Sequence, residues 1–188
     1  MDVVRAIEDR RAYRSLEPVE ITDEMVNELA RCANLAPSCA NFQPERYVFV
    51  YSKEMLEKMI PVFDKGNAWC HAASMMILVF SEKKLDCTSP DREWYLFDTG
   101  MATALLILRA TEMGLVAHPI SGFNAEMSKD ILGIPKEMVV IAMVLVGKKS
   151  PKISPVLSPK QVERETKRPD RFPLEKFAFK DVYGGKFG

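Results

Sequence analysis

No apolar run in this sequence is longer than the nine residues from Met138 to Val146, well short of the roughly 20 that a membrane-spanning helix needs. No secretion signal is visible, because Asp2, Arg5, Glu8 and Asp9 break up any early apolar stretch. Neither sign of charge is in excess. The 26 Lys and Arg face 26 Asp and Glu, which argues against a nucleic-acid binder held by phosphate contacts. Histidine and cysteine are sparse as well: His71 and His118, with Cys32, Cys39, Cys70 and Cys87 and no C-x-x-C among them. Local spacing therefore assembles neither a zinc nor an iron–sulfur site. These absences predict a cytoplasmic protein with free thiols, no membrane or nucleic-acid partner and no metal of its own. Any redox chemistry would need a borrowed cofactor. There is also no internal repeat, and no G-x-G-x-x-G follows a strand, which argues against a Rossmann domain.

What is present suits one globular domain with some chain left over: 188 residues, 47% of them hydrophobic. A helix is expected from Asp2 to about Tyr13, with Val3, Ala6 and Ile7 on one face. Thr22 can cap a second helix carrying Met25, Leu29, Cys32 and Ala33, which Pro37 ends. Tyr47–Tyr51 and Met75–Phe80 read as strands, with a helix from Lys53 to Ile60 between them. Ser89-Pro90 reads as a helix start, and that helix would run about 24 residues to Met113, with Gly114 at its left-handed end. Its middle, Ala102 to Ala110, is apolar nearly all round and calls for a core or a subunit interface. Asn124–Leu132 reads as a short helix stopped by Gly133, and Met138–Val146 as the most hydrophobic strand. Residues 151–188 hold five of the twelve prolines and nine basic against five acidic residues. That segment cannot build a core alone and is expected to wrap over another surface. The whole reads as a layered α+β domain.

Four segments could carry chemistry, and each has a bland reading beside the functional one. Arg10-Arg11-Ala12-Tyr13-Arg14 is either cationic solvation at a helix end or an anion site, since guanidinium forks suit phosphate oxygens. Ala36-Pro37-Ser38-Cys39-Ala40-Asn41-Phe42-Gln43-Pro44 is either a helix-ending turn or a loop whose donors and acceptors suit the edge of a heteroaromatic ring. In His118-Pro119-Ile120-Ser121-Gly122-Phe123 the glycine lets the backbone approach a ligand closely, or the segment is a plain strand-to-helix turn. Lys167-Arg168-Pro169-Asp170-Arg171-Phe172-Pro173-Leu174 is a second basic cluster or a solvated tail.

Taken together and in this order, the four segments resemble the FMN-dependent nitroreductase family. Arg10-Arg11-x-x-Arg14 resembles the family's opening Arg-Arg-Ser-x-Arg. Pro37-Ser38-x-x-Asn41-x-Gln43-Pro44 matches its Pro-Ser-x-x-Asn-x-Gln-Pro loop. Pro119-Ile120-x-Gly122-Phe123 resembles the segment that lies against the flavin, and Arg171-Phe172-Pro173-Leu174-Glu175 its C-terminal Arg-x-Pro-Leu-Glu. Ala12 departs from the usual Ser, Glu45 stands where Trp often follows, and Pro169 falls near the place of a second phosphate-binding Lys in some members.

The resemblance implies an α/β/α sandwich around a mostly antiparallel sheet, residues 1–188 forming one domain. It implies a homodimer with two FMN sites at its interface and residues 151–188 embracing the partner. Arg10, Arg11, Ala12 and Arg14 would hold the phosphate and ribityl chain, helped by Arg168 or Arg171. Pro37, Ser38, Cys39 and Asn41 would come from the other subunit. Pro119, Ile120 and Gly122 would lie beside the ring, and Asn67 is a further candidate contact. The expected cycle is ping-pong, with hydride passing from NADH or NADPH to the flavin and on to a nitroaromatic, quinone or enone. No side chain is assigned as catalytic. The alternatives are a flavin-binding sensor with little turnover, or a family member of different chemistry, such as flavin fragmentation or dehalogenation.

Overall fold

Strand β3 (Met75–Ser81) sets the architecture, because all seven of its residues are buried. A strand covered on both faces needs a layer on each side of its sheet. In the computed structural model, which describes residues 2–187, β3 pairs antiparallel with β2 (Arg46–Val50) along one edge and with β5 (Val139–Lys149) along the other. The 11 residues of β5 also pair with β4 (Val116–Ile120) and with the two-residue β1 (Leu16–Glu17). Every strand pair described is antiparallel.

Alternation along the strands divides the core in two. Met75, Ile77, Val79, Val144 and Val146 meet α2 (Asp23–Asn34) and α4 (Trp94–Glu112) through Leu29, Ala33, Ala102, Leu106 and Ala110. Met76, Leu78, Phe80, Met143 and Leu145 pack with Met59 of α3 (Lys53–Met59) and with Val62, Trp69 and Ile134. The same cluster takes in Ile131 and Leu132 of α5 (Ala125–Leu132). This is the α/β/α sandwich that the family resemblance implies. Truncating Leu29 or Leu106, both fully buried, would cost about 2–5 kcal/mol.

The local signals mostly act as expected. The Thr22 hydroxyl accepts the Met25 N–H at 3.3 Å, with Asp23 and Glu24 in the positive first turn of α2. Asn124 caps α5, and Gly133 ends it at φ 67°. Two expectations need correction. Helix α1 (Val3–Asp9) stops four residues before Tyr13, because Arg10 turns to ψ 120° and the chain runs on extended. Ser89-Pro90 opens no helix: an antiparallel bridge from Ser89 to Arg92 makes a tight turn there, and α4 begins only at Trp94, giving 19 residues. A second Ser-Pro pair, Ser158-Pro159, does open a helix, α6 (Pro159–Thr166), where the Ser158 N–H donates to the Gln161 Oε1 at 2.9 Å.

Helix α6 lies within the segment expected to wrap over another surface, yet Leu157 and Glu165 are buried against their own chain. Beyond it Phe172, Leu174, Val182 and Tyr183 stand exposed. On α1 only Ala6 is buried, leaving Val3 and Ile7 in solvent, and the apolar middle of α4 is covered on one side only, with Leu105 exposed. Among the described residues no helix is long and apolar enough to cross a membrane.

Candidate functional site

The early ending of α1 frees Arg10–Arg14 from the helix. Ser15 then fixes the segment before β1: its carbonyl accepts the Ser150 N–H at 2.9 Å, and its hydroxyl accepts the Ser154 N–H at 3.0 Å. Glu165 of α6 is the second anchor. Its nearly buried carboxylate accepts the Arg14 N–H at 2.6 Å and the Ser15 N–H at 3.1 Å. One buried side chain therefore docks α6 beside the first arginine cluster. The Arg11 guanidinium strengthens the dock by donating to the carbonyls of Arg164 and Glu165, at 2.9 and 3.3 Å. Arg168, just past α6, donates to the carbonyls of Glu8 and Arg10.

The two basic clusters thus meet. Between them is a cavity of about 220 Å³ lined by Arg10, Arg11, Ala12, Arg14, Arg164, Arg168, Pro169 and Arg171. Six of these eight residues are cations and none is an acid. Burial lowers the Arg10 guanidinium pKa, and the charges of Arg168 and Arg171 lower it further. Burial also lowers that of Arg14, with Glu165 opposing and Arg164 adding to the effect. Crowded like charges of this kind are relieved by an anion that takes charge-assisted hydrogen bonds from several guanidinium groups at once.

A line of contacts leads from this cavity to Gly122. The Arg14 guanidinium sits 5.7 Å from the Trp69 ring centroid, and the Trp69 indole N–H donates to Asn67 Oδ1 at 3.2 Å. Asn67 in turn donates through Nδ2 to the Gly122 carbonyl at 2.7 Å. Gly122 has no room for a side chain, since a Cβ there would lie 2.5 Å from Asn67 Nδ2. Pro119 and Ile120 sit at the end of β4, just before this point. His118 packs on Trp69 with ring centroids 4.7 Å apart, and its Nδ1 pairs with the Tyr13 carbonyl at 2.9 Å, as a donor. Burial pushes its pKa down to about 4, so the ring is neutral at pH 7. It is a structural histidine.

The Pro37–Gln43 loop does not join this assembly within one chain, and none of its residues lines the arginine cavity. It is built around left-handed backbone at Ala40, Asn41 and Gln43, with φ of 47°, 59° and 50°. The Cys39 N–H donates to the buried Asp98 carboxylate at 2.6 Å, and the Gln43 N–H donates to the Ser38 hydroxyl at 2.9 Å. Cys39 is also joined to Cys87 in a disulfide, with Cα atoms 6.0 Å apart. This corrects the expectation of four free thiols: only Cys32 and Cys70 are free. The pair is 48 residues apart in sequence, a distance that no local spacing rule reaches. An oxygen of Asp86 lies within 4.8 Å of both sulfurs.

A sequence model of the nitroreductase family matches residues 7–68 and 64–148. The chain belongs to the nitroreductase family. A protein of Archaeoglobus fulgidus named "Putative NADH dehydrogenase/NAD(P)H nitroreductase" is 30% identical over 150 residues, covering 78% of this chain and 84% of that protein. Among solved structures, an oxidoreductase containing FMN is 27% identical with a TM-score of 0.84, covering 99% of this chain and 94% of the other. A nitroreductase family protein from Clostridium difficile 630 superposes with a TM-score of 0.77 at 24% identity, over 97% of this chain and 99% of that one.

The sequence points to both basic clusters but not to what joins them. Arg164 and Glu165 were not singled out, nor was Trp69. The usable signal was Ser158-Pro159 with Gln161 three residues after the serine, an N-terminal helix signature that would have placed Arg164, Glu165 and Arg168 on or beside one helix.

Proposed function

We propose that this nitroreductase is an FMN-dependent oxidoreductase of the cytoplasm. It takes reducing equivalents from NADH or NADPH and delivers them to a small organic acceptor of the nitroaromatic, quinone or enone class. The observation that carries this reading is the cavity walled by six arginines and no acid. Its donor set fits a phosphate monoester, which offers three acceptor oxygens and close to two negative charges. Arg10, Arg11 and Arg14 would hold the phosphate from one side and Arg164, Arg168 and Arg171 from the other. The contacts through Trp69 and Asn67 to Gly122 give the rest of the cofactor a wall to lie along, with Pro119 and Ile120 beside it. The name of the Archaeoglobus relative and the FMN-containing neighbour support the same reading.

A second copy of the chain would complete the site with Pro37, Ser38, Cys39 and Asn41. The exposed apolar residues of α1 and α4 support a homodimer, since faces of this kind are normally covered. When bound, the flavin supplies the two-electron chemistry. The chain's own residues bind the phosphate, orient the ring edge through the Gly122 segment and keep water from it. His118 takes no part in proton transfer, being neutral, buried and already engaged by Tyr13.

The test is the visible absorption of the purified protein before and after NADPH under anaerobic conditions. Flavin bands that bleach are the expected result. Bands that persist would favour a non-catalytic flavin binder, and a colourless protein that FMN cannot reconstitute would overturn the proposal.

A further inference from the structure

The loop Pro37–Gln43 is held in an unusual backbone shape. Three of the four non-glycine residues with left-handed backbone among those described lie within it, and L-residues adopt that region only when their surroundings hold them there. Ser38 and Asp98 each supply one hydrogen bond, Asn34 Nδ2 donates to Gln43 Oε1 at 2.9 Å, Arg46 Nη1 donates to the Gln43 carbonyl at 2.8 Å, and Gln43 Nε2 donates to the Asn41 carbonyl at 3.2 Å. The one covalent constraint is the disulfide. Cys87, at its other end, lies in the irregular 86–93 stretch that precedes α4. Both cysteines are partly exposed in the single chain, whereas Cys70 is fully buried.

We propose that Cys39–Cys87 is a reversible thiol–disulfide modification site whose oxidation latches the Pro37–Gln43 loop in the shape it presents to a partner subunit's flavin. The inference rests on the proposed function, because it concerns regulation of that same site. The reductant is a dithiol. Its thiolate attacks one of the two sulfurs, the Cys39–Cys87 bond breaks, and a mixed disulfide forms. The second thiol of the reductant then displaces the cysteine. The reductant ends as a disulfide, two electrons have passed to the protein, and Cys39 and Cys87 each leave with a proton. Both protons are ones the dithiol gives up, and the Asp86 carboxyl lies near both sulfurs. Once the bond is open, only hydrogen bonds hold Ala40, Asn41 and Gln43 in left-handed backbone, and the loop relaxes.

Two readouts test this on the full-length protein, comparing the oxidised form, the form reduced with dithiothreitol, and Cys87→Ser. The first is amide hydrogen exchange over residues 38–44 without cofactor. Exchange should quicken at least fivefold on reduction, and Cys87→Ser should exchange fast whether or not dithiothreitol is present. The second is FMN titration by quenching of flavin fluorescence, with Kd expected to rise at least fivefold in the same two states. Unchanged exchange on reduction overturns the latch, as does alkylation of Cys39 and Cys87 in native protein treated with oxidised glutathione. Altered exchange with equal FMN affinity overturns the flavin role of the loop. If no form binds FMN, the proposed function falls, and the exchange measurement still decides the latch.

Discussion

Removing the Glu165 carboxylate should cost this nitroreductase-family protein both stability and the arginine cavity that Glu165 helps to assemble. The carboxylate accepts two backbone N–H groups, at 2.6 and 3.1 Å, from a nearly buried position. Hydrogen bonds to a charged partner contribute about 1.5–3 kcal/mol each. Glu165→Ala abolishes both, but the neighbouring cavity lets water reach the freed N–H groups, so a net loss of roughly 3 kcal/mol is expected rather than the full sum. For a domain of this length 1 kcal/mol shifts the melting temperature by about 2–4 °C, which gives a fall of roughly 6–12 °C by calorimetry. Glu165→Gln keeps one acceptor oxygen and should lose about half as much. Because Glu165 docks α6, the alanine variant should also bind FMN at least tenfold more weakly, although Glu165 lines no part of the cavity. A melting temperature within 2 °C of the parent would refute the idea that this one side chain holds the two arginine clusters together.

Arg10→Ala and Arg14→Ala should each weaken FMN binding by about 1.5–3 kcal/mol, read as a ten- to hundredfold rise in Kd; unchanged affinity in both would remove them from the phosphate site. Gly122→Ala places a Cβ against Asn67 Nδ2, and overpacking of this kind costs about 1–3 kcal/mol. A drop in melting temperature with weaker flavin binding is expected, and a wild-type affinity would show that the Asn67–Gly122 pair does not shape the site. Burial pushes the His118 pKa from the ordinary 6.5 down to about 4, so between those values the unfolded chain binds the extra proton. Stability is then complete above pH 6.5 and falls as pH drops toward 4, by roughly 3 kcal/mol at 1.36 kcal/mol per pH unit. His118→Gln should lose that dependence, as denaturant melts across the range would show. Burial also holds the Cys70 thiol up at about 12, so iodoacetamide at pH 8 should label Cys32 and spare Cys70 in the native protein.

The strands and most helices were legible because their signals are local. β3 and β5 announce themselves as unbroken apolar runs, and Thr22, Asn124 and Gly133 mark helix ends by their own chemistry. The failures are just as physical. Ser-Pro pairs at 89 and 158 look alike in sequence, but only the second is followed by a glutamine that can reach back to the serine N–H. The first basic cluster was read beside a helix end that lies at Asp9, one residue before the cluster begins. Its true setting depends on Glu165, some 150 residues away. The Cys39–Cys87 pair escaped for the same reason, since its 48-residue separation leaves no trace in spacing. The Arg, Pro-Ser-x-x-Asn and Gly122 motifs were found by resemblance, while the side chains linking them are visible only in three dimensions.

The clasp between Arg168 and the carbonyls of Glu8 and Arg10 closes a ring of about 160 residues. Drawing together points so far apart costs about 4–5 kcal/mol in chain entropy, and the sheet must be assembled before the clasp can hold. No chain still being synthesised can form the arginine cavity until residues 164–171 have been made. An anion seated there would act as a rivet between residues 10–14 and 164–171. Its release would be felt first as loosening of those two segments, with the sheet still intact.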